Sequence, residues 1–168
     1  MTVSIASAAE IAVRTPCVGG FFESHEPDGA ADGHGLLDAW TEGRALVATG
    51  SPFQPVTYKG VTYVIAQMSN AMLYPGLCLG AIVARARIIS QGMFAAAASA
   101  VSSLVTVRQP GSSLLPHIDD LRCVSFTVAV AVAEAAYQEG LARVADTDVV
   151  QQVEDAMWQP QYQRIEAS

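Results

Sequence analysis

The sequence predicts an α/β fold rich in helix, and three observations carry that prediction. Ala45-Leu46-Val47-Ala48 is a short apolar run that breaks at Thr49-Gly50-Ser51-Pro52, as a buried strand does on leaving its sheet. A loop then leads to Gln67-Met68-Ser69-Asn70, and Pro75-Gly76 opens an apolar, helix-like segment. Beyond it the chain is Ala-rich and punctuated by helix caps. Strand, loop and helix in that order place ligands at the carboxyl ends of strands.

Residues 1–35 hold little structural signal and are expected to be poorly ordered. Ser4 to Val13 offers one weak helix, Cys17 to Phe22 is apolar but short, and Asp28 to Gly35 has the Gly, Asp and Ala of a loop. His25 and His34 lie among Glu23, Glu26 and Asp32, but without the helical spacing of a metal pair, so a solvated loop is expected. Leu36 to Trp40 ends a short helix that Gly43 stops. Arg44 to Thr49 is the strand, with Gly50 allowing a sharp exit. Val56-Thr57-Tyr58 and Val61-Thr62-Tyr63 flank Lys59-Gly60 as a small hairpin or an extended arm.

A helix is expected over Pro75 to Ala86, because its first turn has no use for the N–H that proline lacks. Gly80 suits close packing, and Arg85 and Arg87 complement the dipole at its end. Ser90 caps a helix over Gln91 to Leu104, and Arg108 to Ser113 is a loop. Asp119 or Asp120 precedes a long helix over Leu121 to Glu139, closed by Gly140. Val128 to Val132 alternates as a strand would, but the length and alanine content of the run favour helix. Asp146-Thr147-Asp148 starts a last short helix that ends before Pro160. Tyr58, Tyr63, Tyr74 and Tyr137 are expected to pack.

At 168 residues, 51% hydrophobic and 15% charged, the chain has room for one domain with a real core. A net charge of -7 argues against a nucleic-acid or anionic-membrane partner. Cys17, Cys78 and Cys123 are far apart and form no CxxC, which fits reduced, buried thiols in a cytoplasmic protein. No basic, then apolar leader is apparent, and the longest uncharged apolar run, Cys123 to Ala133, is too short for a bilayer.

The TGSPF of Thr49 to Phe53, the Q-x-x-N of Gln67 to Asn70 and the YPG of Tyr74 to Gly76 resemble the C-terminal part of the malic enzyme family. Arg87-Ile88-Ile89-Ser90, Leu114-Leu115-Pro116 and Met157-Trp158-Gln159-Pro160 continue the likeness, which spans residues 36–168. It implies the C-terminal part of a Rossmann-like NAD(P)-binding domain. It also implies the family's reaction, oxidative decarboxylation of malate to pyruvate with NAD or NADP and a divalent Mn or Mg ion. The family's strand ending in Ser-Asn-Pro-Thr has no counterpart at Phe22-Glu23-Ser24-His25-Glu26. One set of codons for those residues, read one base later, encodes Ser-Asn-Pro-Thr. A shifted upstream frame is therefore a hypothesis that the gene's codons test.

That reaction needs a base, an acid, metal carboxylates and a glycine-rich dinucleotide loop. The resemblance places all of them upstream of the matching region. No GxGxxG occurs in the sequence, and Lys59, in a turn, is its only lysine. No catalytic residue and no metal ligand is therefore assigned, and the chain is expected to be inactive alone. The resemblance implies that Asn70 contacts malate beside the nicotinamide, where an amide donates to a carboxylate without adding charge. Ser69 stands where the family has a first asparagine, and Gln67 orients the loop; Ser51 and Thr49 are weaker ligand contacts, for which a structural loop role is the expected reading. Read without the resemblance, Asn70 is a turn or helix-entry residue, and His117 is a surface or capping histidine. Expected partners are malate, a separately encoded N-terminal half and further copies of the chain. The other reading is a non-catalytic interaction subunit or a remnant.

Overall fold

The computed structural model describes residues 18–22, 42–43, 45–50, 52–105, 110–144 and 148–159. Among the described residues, five strands come first and four α-helices follow: β1 Val18–Phe22, β2 Ala45–Thr49, β3 Val56–Tyr58, β4 Val61–Tyr63, β5 Ala66–Gln67, α1 Tyr74–Val83, α2 Gln91–Ser103, α3 Leu121–Gln138 and α4 Val149–Ala156. The fold is α/β and helix-rich, as the sequence predicts.

β1, β2 and β5 form a parallel sheet in that order. Phe22 pairs with Thr49 and Thr49 with Gln67, so the three strands end level. The Met68 N–H donates to the Thr49 carbonyl at 2.7 Å and carries the ladder one residue further. β1 lies in a segment that the sequence leaves without an element. Its two glycines, Gly19 and Gly20, give it weak strand character, and pairing along the whole of β2 supplies what propensity does not.

β3 and β4 form an antiparallel hairpin, which resolves the choice between hairpin and arm. Lys59 and Gly60 have φ of 48° and 80°, the pair of left-handed residues that a type I′ turn needs. The Lys59 ammonium lies 5.2 Å from the centre of the Tyr58 ring. Val64 N–H donates to the Gly111 carbonyl at 3.1 Å and ties the hairpin to the 110–113 turn.

The main core is helical and centres on α3. Val124, Val128 and Val132 are buried at four-residue spacing, with Ala129, Ala133 and Ala136 beside them. α1 packs against this face through Gly76, Leu77 and Gly80. A Cβ on Gly76 would stand 2.6 Å from the Ser125 carbonyl oxygen and the Val128 Cβ, and one on Gly80 would strike the Ala129 carbonyl. The expected close packing at Gly80 is thus present, and Gly76 shares in it. Both contacts advance in the same sense, so α1 and α3 run parallel. Beyond their ends, Arg87 N–H donates to the Leu141 carbonyl at 3.2 Å and Arg143 N–H to the Ala84 carbonyl at 3.1 Å. A second, smaller core joins Val47 and Ile65 to Phe53 and Val56.

Ser90 Oγ accepts from Met93 N–H at 3.0 Å, and an Asp148 carboxylate oxygen accepts from Gln151 N–H at 3.1 Å, so both caps are as expected. Asp120 immediately precedes α3, as expected, though its side chain makes no cap bond. A short 3₁₀ turn, Ile118–Asp120, comes first, and His117 Nδ1 accepts from Asp119 N–H at 3.3 Å. Arg85 closes α1 with φ of 47°, in the left-handed conformation usual just past a helix end.

Two burial expectations are corrected. Cys78 and Cys123 are exposed, because the helix phase set by Gly76, Leu77 and Gly80, and by Val124 and Ser125, turns the neighbouring thiols outward. Tyr74 is exposed for the same reason, whereas Tyr63 is buried with its hydroxyl against Gly43. Cys17, His25, His34, Trp40 and the expected helix end at 36–40 lie outside the described residues. Among the described residues no helix is long and apolar enough to cross a membrane.

Candidate functional site

The carboxyl edge of the parallel sheet is where the candidate residues gather. β2 ends at Thr49, which is 1% exposed and sits between Phe22 and Gln67 in the ladder. Burial of Thr49 fits a structural role. Gly50 follows, exposed, with φ outside the left-handed region and open space within 4 Å of where a Cβ would stand. Its freedom is therefore not what turns the chain. Ser51 lies outside the described residues.

β5 ends at Gln67, half-buried and opposite Thr49. Met68 is exposed at the same edge, a position to which sequence reasoning gave no role. Ser69 is extended, and its Oγ accepts from Ala71 N–H at 3.2 Å. That bond caps a 3₁₀ turn, Asn70–Met72, which leads through Leu73 into α1. The cap at this turn is Ser69, and Asn70 is left exposed as the first residue inside it. Asn70 is exposed, and among the described residues no hydrogen bond engages its amide. The chain thus brings Gln67, Ser69 and Asn70 to one edge, level with the end of β2.

No residue from Gln67 to Ala84 is charged. What the edge offers a ligand is neutral: an amide that donates and accepts, and a serine hydroxyl proton. Lys59, at the hairpin tip, is exposed and turned to the Tyr58 ring. Among the described residues no three His, Cys, Asp or Glu side chains come together as a metal would require, so the donors present do not fit a divalent ion.

A separate open cleft of about 500 Å³ shares no residue with this edge. It is lined by Asp119, Asp120, Arg122, Cys123, Phe126 and Glu154, among others, and Arg122 Nη1 donates across it to the Trp158 carbonyl at 3.1 Å. Its carboxylates outnumber its one cation, so it is a poor host for an anionic substrate. The sheet edge remains the better site.

Residues 34–137 match the malic enzyme NAD-binding domain. NAD-dependent malic enzyme 3 of Bacillus subtilis (strain 168) is 54% identical over 131 residues, which is 78% of this chain and 23% of the relative. The malolactic enzyme of Lactococcus lactis subsp. lactis is 42% identical over 123 residues, 73% of this chain and 23% of that protein. The crystal structure of malic enzyme from Pyrococcus horikoshii superposes with a TM-score of 0.62 at 26% identity, covering 89% of this chain and 30% of that one. The chain thus spans about a quarter of the length of the curated relatives it matches. With most of its length matched to that domain, the chain belongs to the malic enzyme family.

Proposed function

We propose that residues 36–168 form the C-terminal part of a malic-enzyme NAD-binding domain, in the cytoplasm, and supply one wall of a site for malate and NAD or NADP. The observation that carries this is the exposed Asn70 amide at the carboxyl edge of a parallel sheet, in a chain of this family. Asn70 donates an amide N–H to a malate carboxylate and so orients it without adding charge. The Ser69 oxygen stays committed to its cap, and its hydroxyl proton is free to give a second, shorter-reaching bond. Gln67 holds the loop at the strand end, and Ser51 is a weaker ligand contact. Bound NAD or NADP supplies the hydride acceptor for oxidative decarboxylation to pyruvate and CO2.

The base, the acid, the Mn or Mg carboxylates and the dinucleotide loop come from a second polypeptide, a separately encoded N-terminal half. Alone, the chain does not turn over malate. The test is malate-dependent reduction of NAD or NADP with Mn²⁺ or Mg²⁺, using the purified chain with and without an N-terminal malic enzyme half. Activity is expected only in the mixture, and Asn70→Ala should lower kcat/KM there by about tenfold or more. Turnover by the chain alone refutes the division of labour. The exposed Tyr74 and Ile82 favour a second reading, a non-catalytic subunit or homo-oligomer built on apolar contacts. Silence in every mixture supports that one.

A further inference from the structure

The run from Gln67 to Asn70 has two sides. Gln67 is paired in the parallel ladder, Met68 N–H continues that ladder onto the Thr49 carbonyl at 2.7 Å, and Ser69 is extended, with φ of -124° and ψ of 143°. Extended residues alternate sides, and burial follows the alternation. Gln67 and Ser69 are half-buried, whereas Met68 and Asn70 are exposed. Met68 and Asn70 therefore share the outward side, with their Cα atoms about 6–7 Å apart.

The same alternation puts Ala66 on the Met68 side, with Ala48 paired beside it. Ala48 is 1% exposed and Ala66 3%, but Met68 is 41% exposed. Cover over this side of the sheet thus ends at Met68, at the carboxyl edge where a parallel sheet binds its ligands. A ligand held by the Asn70 amide meets Met68 next on that side.

The chemistry of the side chain decides which part of the ligand it meets. A thioether has no donor, so a malate carboxylate gains nothing from it. Its sulfur is polarisable and carries lone pairs, which suits a planar, electron-poor ring. The nicotinamide ring of an oxidised dinucleotide is such a ring, and it must lie beside the malate carbon that loses hydride. With malate on Asn70, a ring placed beside it comes within reach of Met68.

We propose that Met68 is the contact that seats the nicotinamide ring, its thioether packing on the ring while Asn70 holds malate; this rests on the function proposed above. Met68 supplies shape and polarisability, and Asn70 supplies the hydrogen bond.

The full chain, isotopically labelled at its methionine methyls and side-chain amides, is titrated by NMR with malate. It is then titrated with nicotinamide methylated on the ring nitrogen, the cationic ring without the rest of the dinucleotide. The ring is expected to move the Met68 methyl resonance upfield in a saturable way. The methyls of Met72 and Met93, which are buried, and of Met157, in the separate acidic cleft, should stay in place. Met68→Leu keeps the bulk but removes the sulfur. It should weaken ring binding, followed at the Asn70 amide, by about three- to tenfold. Val150→Ala, on α4, should leave it unchanged. Both positions are exposed, so both variants should keep the parent's melting temperature. A ring that shifts the Asn70 amide but not the Met68 methyl overturns the proposal and leaves the proposed function intact. An equal drift of every methyl overturns it too, as does full ring affinity in Met68→Leu. Silence at every resonance also overturns it, while malate turnover in the two-part mixture would still uphold the function. A Met68 response with Asn70 silent to malate keeps the ring contact and removes the malate contact.

Discussion

Ser69 and Asn70 are neighbours with opposite commitments. The Ser69 oxygen holds the 3₁₀ turn, so Ser69→Ala should cost about 0.5–1 kcal/mol, seen as a lower thermal midpoint. Asn70→Ala should change stability by less than about 0.5 kcal/mol, because Asn70 is exposed. A large loss at Asn70 would make it a structural residue and weaken its proposed role. The role of Asn70 was not legible from its own surroundings in the sequence. An asparagine between a strand and a helix is ordinarily a turn residue, and only the spacing of Gln67, Asn70 and Tyr74-Pro75-Gly76 against a known family pointed further. Cys78 and Cys123 show the converse. Apolar neighbours imply burial, but burial depends on helix phase, which their flanking residues set. Gly60 is a simpler case. Its φ of 80° with open space around it makes Gly60→Ala a test of conformation alone, with an expected loss of about 1 kcal/mol by denaturant titration.

Among the elements, those with strong local chemistry were readable: β2 from its apolar run, α2 and α4 from Ser90 and Asp148; the residues around Lys59-Gly60 fitted a hairpin or an arm equally, and only strand pairing decided it. β1 was not, because its partner strand rather than its glycines defines it. The α3 entry was placed correctly after Asp120, but the 3₁₀ turn ahead of it, capped by His117, has no signature of its own. Ser90→Ala should cost about 1 kcal/mol, read by chemical denaturation. Gly76→Ala should destabilise by about 1–3 kcal/mol despite alanine's better helix propensity, since the new carbon meets the Ser125 backbone. A neutral or stabilising result would show that α1 and α3 can part without cost. The same variant should leave the β3–β4 hairpin's amide exchange unchanged.

At the scale of the whole molecule, the described residues form a large helical core and a small strand core. Leu77→Ala, in the first of these, should cost about 2–5 kcal/mol and lower the unfolding midpoint of the helices. Amide exchange should be slowest in α1 and α3 and faster in β2 and the hairpin, whose core rests on Val47, Ile65 and two partly covered neighbours. The fold class was legible because strand, loop and helix each have a local signature. Division into two cores was not, because it depends on which helix covers which strand, and hydrophobic pattern alone does not name the partner.

The meshing of α1 with α3 has a periodicity of its own. Gly76 and Gly80 receive Val128 and Val132, but Val124 stands four residues earlier on the same face. Slid by one turn, about 5.4 Å, the two glycines would meet Val124 and Val128, a fit of nearly the same shape. The comb of teeth therefore aligns the helices without fixing which tooth enters which gap. That choice falls to the pair of backbone hydrogen bonds past the helix ends, from Arg87 N–H to the Leu141 carbonyl and from Arg143 N–H to the Ala84 carbonyl, which act as a latch. A latch made of main chain leaves no signature in side-chain identity, so the vernier position of Asn70 along the molecule is written where no residue code records it.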